Sequence, residues 1–197
     1  MSWTVVAGLR EVGTIGALAG EPGLGASQAL LMWGHPVEGV RGAELLEALL
    51  AVSDQLDEKL NGRSEPDVMV LWPDLLLLVE AKYRSANDSK PGYEGYGNYL
   101  PSPDLFAVDK QQVEQEGSYQ LARNWVIGCR LADRLGVELR LINLGPAGIA
   151  DAAAGFAALL SQTSARRFEH RSWQQVLAQG TPPAWLVLYA DDHGLVA

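Results

Sequence analysis

The chain is short of cysteine, histidine and positive charge. Cys129 is its only cysteine, which excludes an intrachain disulfide and a cysteine-based zinc cluster and fits a reducing compartment. On a helix, such a thiol reads as a small buried hydrophobe. His35, His170 and His193 show no metal-ligand spacing, so ordinary surface histidine is the default. Lys and Arg number 15 against 24 Asp and Glu, a formal net charge of −9. That balance opposes generic attraction to nucleic acid and leaves binding to a local basic patch. Long apolar runs are also missing: the one from 68 to 81 is broken by Pro73 and Asp74, short of the roughly 18 residues a membrane span needs. Arg10 and Glu11 interrupt a short, Gly-containing start that does not look like a signal peptide. The expectation is a cytoplasmic protein with no membrane span.

What is present is apolar content. At 197 residues and 48% hydrophobic composition, the chain can bury one sizeable core, and no long polar linker divides it, so residues 1–197 are expected to form a single domain. The pattern is richest between Glu65 and Lys82. Residues 67 to 72 and 75 to 82 are dense in Val and Leu, and Pro73-Asp74 has the chemistry of a two-residue turn. Pairing Trp72 with Leu75 across that turn puts Asp67 directly opposite Glu80, with Cβ atoms about 5 Å apart. Lys82 shares the face of Glu80, while Ala81 turns away and leaves its carbonyl at the strand edge. Facing like charges destabilise a hairpin unless a cation or proton sits between them, and hard oxygen ligands beside an ammonium suit Mg2+ or Mn2+. Both faces of the hairpin are apolar, with Val68, Val70, Leu77 and Val79 on one and Met69, Leu71, Leu76 and Leu78 on the other. Helices should therefore cover both faces of the sheet, giving an α/β sandwich.

Pro66-Asp67, twelve intervening residues and Glu80-Ala81-Lys82 together resemble the PD-(D/E)xK nuclease superfamily, over residues 65 to 85. The resemblance implies a restriction-endonuclease-like fold, a mixed central sheet flanked by helices. It implies Asp67 and Glu80 as ligands of Mg2+ or Mn2+, helped by the Ala81 carbonyl, and Lys82 as the residue that positions or activates the attacking water. The implied activity is hydrolysis of phosphodiester bonds, with DNA as the expected partner. RNA or another phosphoester would use the same residues. A catalytically inactive nuclease-like domain binding a protein partner, or a homodimer, is the reading from a different class. The superfamily core usually has a further strand between the helix before the sheet and the Asp-bearing strand. Here only Gly62 to Pro66 are free for it, so either the strand is vestigial or the segment before residue 42 supplies it.

The remaining chain yields lesser candidates. Trp3 to Ala7 reads as a short strand. The segment Gly20 to Ser27 has the glycine and serine spacing of a phosphate-binding loop, but Ala26 stands where the lysine should be, so it reads as an ordinary loop. Ser27 suits the N-cap of a short helix, Gln28 to Trp33, from which Gln28 is a possible accessory to the site. Leu45, Leu49, Val52, Leu56 and Leu60 recur at helical spacing over Gly42 to Leu60. Glu38 falls in phase with that stripe if the helix begins at Pro36, at a cost from Gly39 and Gly42, and is a second possible accessory. Residues 84 to 104 form a Gly- and Pro-rich loop carrying Tyr93, Tyr96 and Tyr99, where tyrosines are candidates to stack on bases and Arg84 or Lys90 to meet phosphates. A helix from Asp109 breaks at Gly117-Ser118 and resumes from Tyr119 to Leu135. That break separates Gln115 from Tyr119, which would otherwise match a pattern found beside the site in one nuclease branch. Gln120 and Arg123, three apart on continuous helix, are candidates for the same end of the sheet, with solvated helix polars the plainer reading. Val137 to Leu144 alternates into a strand, Ile149 to Gln162 forms an Ala-rich helix, and Arg166, Arg167 and Arg171 make the one dense basic cluster, a candidate nucleic-acid contact. A short helix from Ser172 to Gln179 follows it, and Pro182-Pro183 open a last element.

Overall fold

The structure is a computed structural model that describes residues 2–58, 65–83, 96–100 and 102–195. Among them six strands form one mixed, open sheet: β1 (Ala29–Met32), β2 (His35–Glu38), β3 (Val68–Leu71), β4 (Leu75–Ala81), β5 (Glu138–Gly145) and β6 (Arg166–Ser172). Their spatial order is β2-β1-β3-β4-β5-β6. The first four strands of that order are antiparallel, and β4, β5 and β6 are parallel. The helices are α1 (Ser2–Glu11), α2 (Gly42–Gln55), α3 (Lys110–Glu116), α4 (Tyr119–Leu135), α5 (Ala150–Ala158), α6 (Trp173–Gly180) and α7 (Ala184–Asp192). No helix among the described residues is long and apolar enough to cross a membrane.

The hairpin forms in the expected register. Val68 pairs with Val79, Met69 with Leu78 and Val70 with Leu77, and the Trp72 N–H donates to the Leu75 carbonyl at 2.8 Å. Its two apolar faces feed two separate cores. Met69, Leu71, Leu76 and Leu78 join α2, α4 and α5 through Leu45, Val52, Trp125, Val126 and Phe156. Val68, Val70, Leu77 and Val79 join α1, α6 and α7 through Val5, Leu9, Val176 and Leu186. Both parallel connections, β4 to β5 through α4 and β5 to β6 through α5, put their helices on one face, as same-handed crossovers stepping in one direction must. Helices thus cover both faces of the sheet.

Two elements change type from the sequence reading, and others gain an assignment or differ in extent. Residues 29 to 32, expected in a helix with Gln28, form β1, because pairing with β3 (Ala29 with Leu71, Met32 with Val68) and complete burial outweigh the helix preference of Ala, Leu and Met. The strand beside β3 on that side thus comes from the segment before residue 42. Residues 3 to 7, expected as a strand, lie in α1, where Val5, Val6 and Leu9 pack on the sheet at helical spacing. The basic cluster forms β6, its arginines alternating between the two faces of an edge strand. The helix at 150 stops at Ala158, short of Gln162, and residues after Pro183 choose helix. The break at Gly117 is present, with Gly117 at φ 76°.

The turn joining β1 to β2 is Trp33-Gly34, between the paired residues Met32 and His35. Both turn residues are left-handed, with φ 47° at Trp33 and 72° at Gly34. Glycine takes that conformation freely; a bulky residue held there costs roughly 1–2 kcal/mol.

Candidate functional site

A single row takes one residue each from β4, β5 and β6 and the residues just after β1 and just before β3. Glu80 pairs with Asn143, and Asn143 with His170. One step beyond the pairs Met32–Val68 and Val68–Val79, Trp33 lies beside Asp67, and Asp67 beside Glu80. Cross-strand neighbours share a face, so the row runs Trp33, Asp67, Glu80, Asn143, His170 beneath α4. It sits at the carboxyl ends of the parallel strands, the end at which open α/β sheets bind their ligands. Lys82, two residues past Glu80, lies on the same face.

Hydrogen bonds tie this row together. The Ala81 N–H donates to Asp67 Oδ2 at 2.7 Å, and the Trp33 indole N–H donates to Asp67 Oδ1 at 3.2 Å. Lys82 Nζ lies 2.8 Å from Glu80 Oε1. Two side chains of α4 complete the set: Gln120 Oε1 accepts from Lys82 Nζ at 2.5 Å, and Asn124 Nδ2 donates to Glu80 Oε2 at 2.8 Å. Glu80 and Lys82 are only 4% and 8% exposed, so the ion pair is desolvated and depends on these amides to satisfy its remaining oxygen and protons. Helix α4 can come this close because Gly128 carries no side chain. A Cβ there would lie 2.9 Å from Leu139 Cδ1 and 3.3 Å from Leu78 Cδ2.

A lone negative charge is disfavoured at Asp67. Burial pushes its carboxyl pKa above the usual carboxylate range, and the charge of Glu80 pushes it further; the Ala81 and Trp33 N–H groups and Lys82 oppose the shift. Two carboxylates that repel, beside a strand-end carbonyl, form a hard-oxygen set for Mg2+ or Mn2+. Among the described residues no group of three or more His, Cys, Asp or Glu could hold a metal, so a set at this place would be limited to Asp67, Glu80 and the Ala81 carbonyl. On donor chemistry and repulsion these residues fit the ion.

The far end of the row is polar, and its buried amide is unpaired. Asn143 is completely buried, and neither its Nδ2 nor its Oδ1 has a hydrogen-bond partner. Burial lowers the His170 pKa, and the nearby Asn143 backbone opposes this.

The candidates from sequence divide accordingly. Asp67, Glu80, Ala81, Lys82 and Gln120 come together, and Arg123 is at the rim, its Nε donating to Asn124 Oδ1 at 3.3 Å. Gln28 does not join them, because its N–H bonds the Leu71 carbonyl at the other end of β3, about 13 Å along the strand from Asp67; its side chain accepts from Arg41. Glu38 pairs with Arg10 of α1 at 2.5 Å, which belongs to the layer on the opposite face. Arg166 pairs with Leu139 across the sheet and with Asp133 by an ion pair of 2.5 Å. That places Arg166, and exposed Arg167 beside it, about 13 Å from the row along β6, so these two arginines do not border the site. Tyr96 and Tyr99 are buried and meet Tyr119 edge-on, with ring centroids 5.1 and 6.0 Å apart. They are part of the core under α4 and offer no face to a base. Tyr93, Arg84 and Lys90 lie outside the described residues. Cys129 is buried and its thiol is pushed up to about 12, consistent with an inert hydrophobe.

Sequence reasoning missed Trp33, Asn124, Asn143 and the row position of His170. Asn124 carried a usable signal, four residues after Gln120 and so on the same helical face. Asn143 carried another, a lone amide inside an apolar strand.

No protein-family model, curated protein or solved structure matches the chain.

Proposed function

We propose that this chain is a divalent-metal-dependent nuclease of the PD-(D/E)xK kind, with a restriction-endonuclease-like fold and DNA as its substrate. The observation that carries the reading is the bond from the Ala81 N–H to Asp67 Oδ2 at 2.7 Å, which holds Asp67 beside Glu80 and Lys82 in the register the motif needs. The sheet order supports it as well: β1, β3 and β4 run antiparallel, and β5 joins parallel to β4 after a helix.

Asp67, Glu80 and the Ala81 carbonyl would hold Mg2+ or Mn2+, which when bound polarises a phosphoryl oxygen and lowers the pKa of a water. Asn124 fixes the carboxylate plane of Glu80 from the side away from Lys82. Gln120 holds the Lys82 ammonium at the mouth of the row, where it orients the attacking water and stabilises charge developing on the phosphoryl oxygens. Arg123 supplies a phosphate contact at the rim. Preorganisation of this kind is what such a site contributes, since the buried groups need no rearrangement from water.

The test is a Mn2+ titration followed by incubation with single- and double-stranded DNA and RNA. Cleavage of DNA that needs Mn2+, stops with chelator and is lost in folded Glu80→Ala is the expected result. A folded protein that neither binds Mn2+ nor cleaves any nucleic acid overturns the reading in favour of an interaction domain; cleavage of RNA alone changes the substrate.

A further inference from the structure

The site described above has an aromatic residue at its open edge that the hydrolytic chemistry does not use. Trp33 follows β1 at the start of the row and bonds Asp67 twice, its backbone N–H to the Asp67 carbonyl and its indole N–H to Oδ1, each at 3.2 Å. Even so, 43% of the residue stays exposed. Its backbone is left-handed, φ 47°, in a tight turn with Gly34. That position suits Asn, Asp or Gly, and nothing in the turn itself favours an indole. The turn therefore holds a large aromatic surface in solvent, at a strained position, against a candidate metal ligand. Structural anchoring of Asp67 alone would need only an N–H, and the Ala81 N–H already supplies one at 2.7 Å.

Resting on the nuclease reading, we propose that Trp33 is a stacking platform for one unpaired nucleobase next to the scissile phosphate, so that the preferred substrate is single-stranded or locally unpaired. Base–aromatic stacking needs a free base face, which every unpaired base has and an internal base of a duplex does not. It also tolerates any sequence. The platform supplies binding energy that does not depend on charge, which suits a chain of net charge −9 whose basic cluster on β6 points elsewhere.

The experiment measures binding of a short fluorescein-labelled DNA strand, alone and annealed as a blunt duplex, by anisotropy with Ca2+ replacing Mn2+ so that no strand is cut. The proteins are wild type, Trp33→Ala, Trp33→Phe and Trp185→Ala. Trp185 is equally exposed at 43% but lies on α7, in the layer on the other face of the sheet, and serves as the control. Trp33→Ala is expected to weaken single-strand binding roughly 5- to 150-fold, the worth of one stacked base, with duplex binding unchanged. Trp33→Phe keeps a stacking face and should stay within a few-fold of wild type, and Trp185→Ala should match it. Should Trp33→Ala fold poorly, Trp33→Asn suits the left-handed turn and removes the ring equally. Wild-type single-strand affinity in the folded ring-free variant overturns the proposal, as does Trp33→Phe binding no better than Trp33→Ala, which would assign Trp33 to holding Asp67 through its N–H. Both results leave the nuclease reading standing. If the wild-type protein binds neither strand form and cuts nothing with Mn2+, the nuclease reading itself has failed and the stacking proposal falls with it.

Discussion

Asn124 donates its amide to Glu80 Oε2 at 2.8 Å one helical turn after Gln120 accepts from Lys82 at 2.5 Å, so a single face of α4 supports both members of the buried ion pair. Replacing Asn124 by Ala leaves a carboxylate oxygen buried without a donor. A loss of about 1–3 kcal/mol follows, read as a lower urea midpoint. Asn124→Asp should lose more, because it sets a second negative charge against Glu80. A midpoint unchanged in Asn124→Ala would mean that water replaces the amide and the helix does not position Glu80.

On the proposed function, Lys82 and Glu80 separate catalysis from metal binding. Lys82 is not a ligand, so Lys82→Ala should still bind Mn2+ while hydrolysis falls roughly 100- to 10,000-fold, the usual worth of a positioned acid or base. Glu80→Ala removes a ligand and should lose both. The Lys82 variant also leaves Glu80 buried beside Asp67 without its cation, so it should be the less stable protein in chelator and recover when Mn2+ is added. Circular dichroism establishes folding in each case. A folded Lys82→Ala that cleaves at the wild-type rate removes Lys82 from the chemistry.

The hairpin was legible because Pro73-Asp74 punctuates two runs of Val and Leu, and a register of period two follows once the turn is placed. That reasoning reached Asp67, Glu80, Lys82 and the two-sided core without further information. It failed at β1 for a physical reason. Ala29-Leu30-Leu31-Met32 is made of good helix formers, and only the pairing with β3, remote in sequence, makes it a strand. Misreading β1 hid the Trp33-Gly34 turn, and with it the aromatic edge of the row. The same limit misplaced Gln28 and the arginines of β6. Residue type suggested a role, but position along a strand decided which end of the sheet each side chain met. Tyr96 and Tyr99 show the converse, since tyrosines in a Gly-rich stretch found a core to enter.

Cation binding should stabilise the fold through Asp67. Its carboxyl is half-buried and faces the charge of Glu80, a repulsion that a bound divalent ion would relieve. Binding to the folded state alone adds about 2.7 kcal/mol at a hundredfold excess over Kd, seen as a higher Tm with Mn2+ than with chelator. Asp67→Asn keeps the shape and removes the ligand charge, and its Tm should not respond to Mn2+. A variant that gains as much as wild type would place the ion away from Asp67.

Asn143 offers a test of whether the far end of the row serves function or folding. It is wholly buried with neither polar atom paired, and burying an unsatisfied amide costs about 1–3 kcal/mol. Leucine has the same branched four-atom shape, though its methyl groups are larger, and needs no partner; the neighbouring core residues Leu139 and Leu141 on the same strand face are themselves leucines. Asn143→Leu should therefore raise the urea midpoint by an amount worth about 1 kcal/mol or more, with an unchanged m value showing that two-state folding persists. An amide retained against that cost, one strand from Glu80, is the pattern expected where a site trades stability for activity. The Asn143→Leu protein should accordingly be more stable and cut more slowly. A less stable Asn143→Leu with the wild-type rate would show instead that a buried water satisfies the amide and that its role is structural.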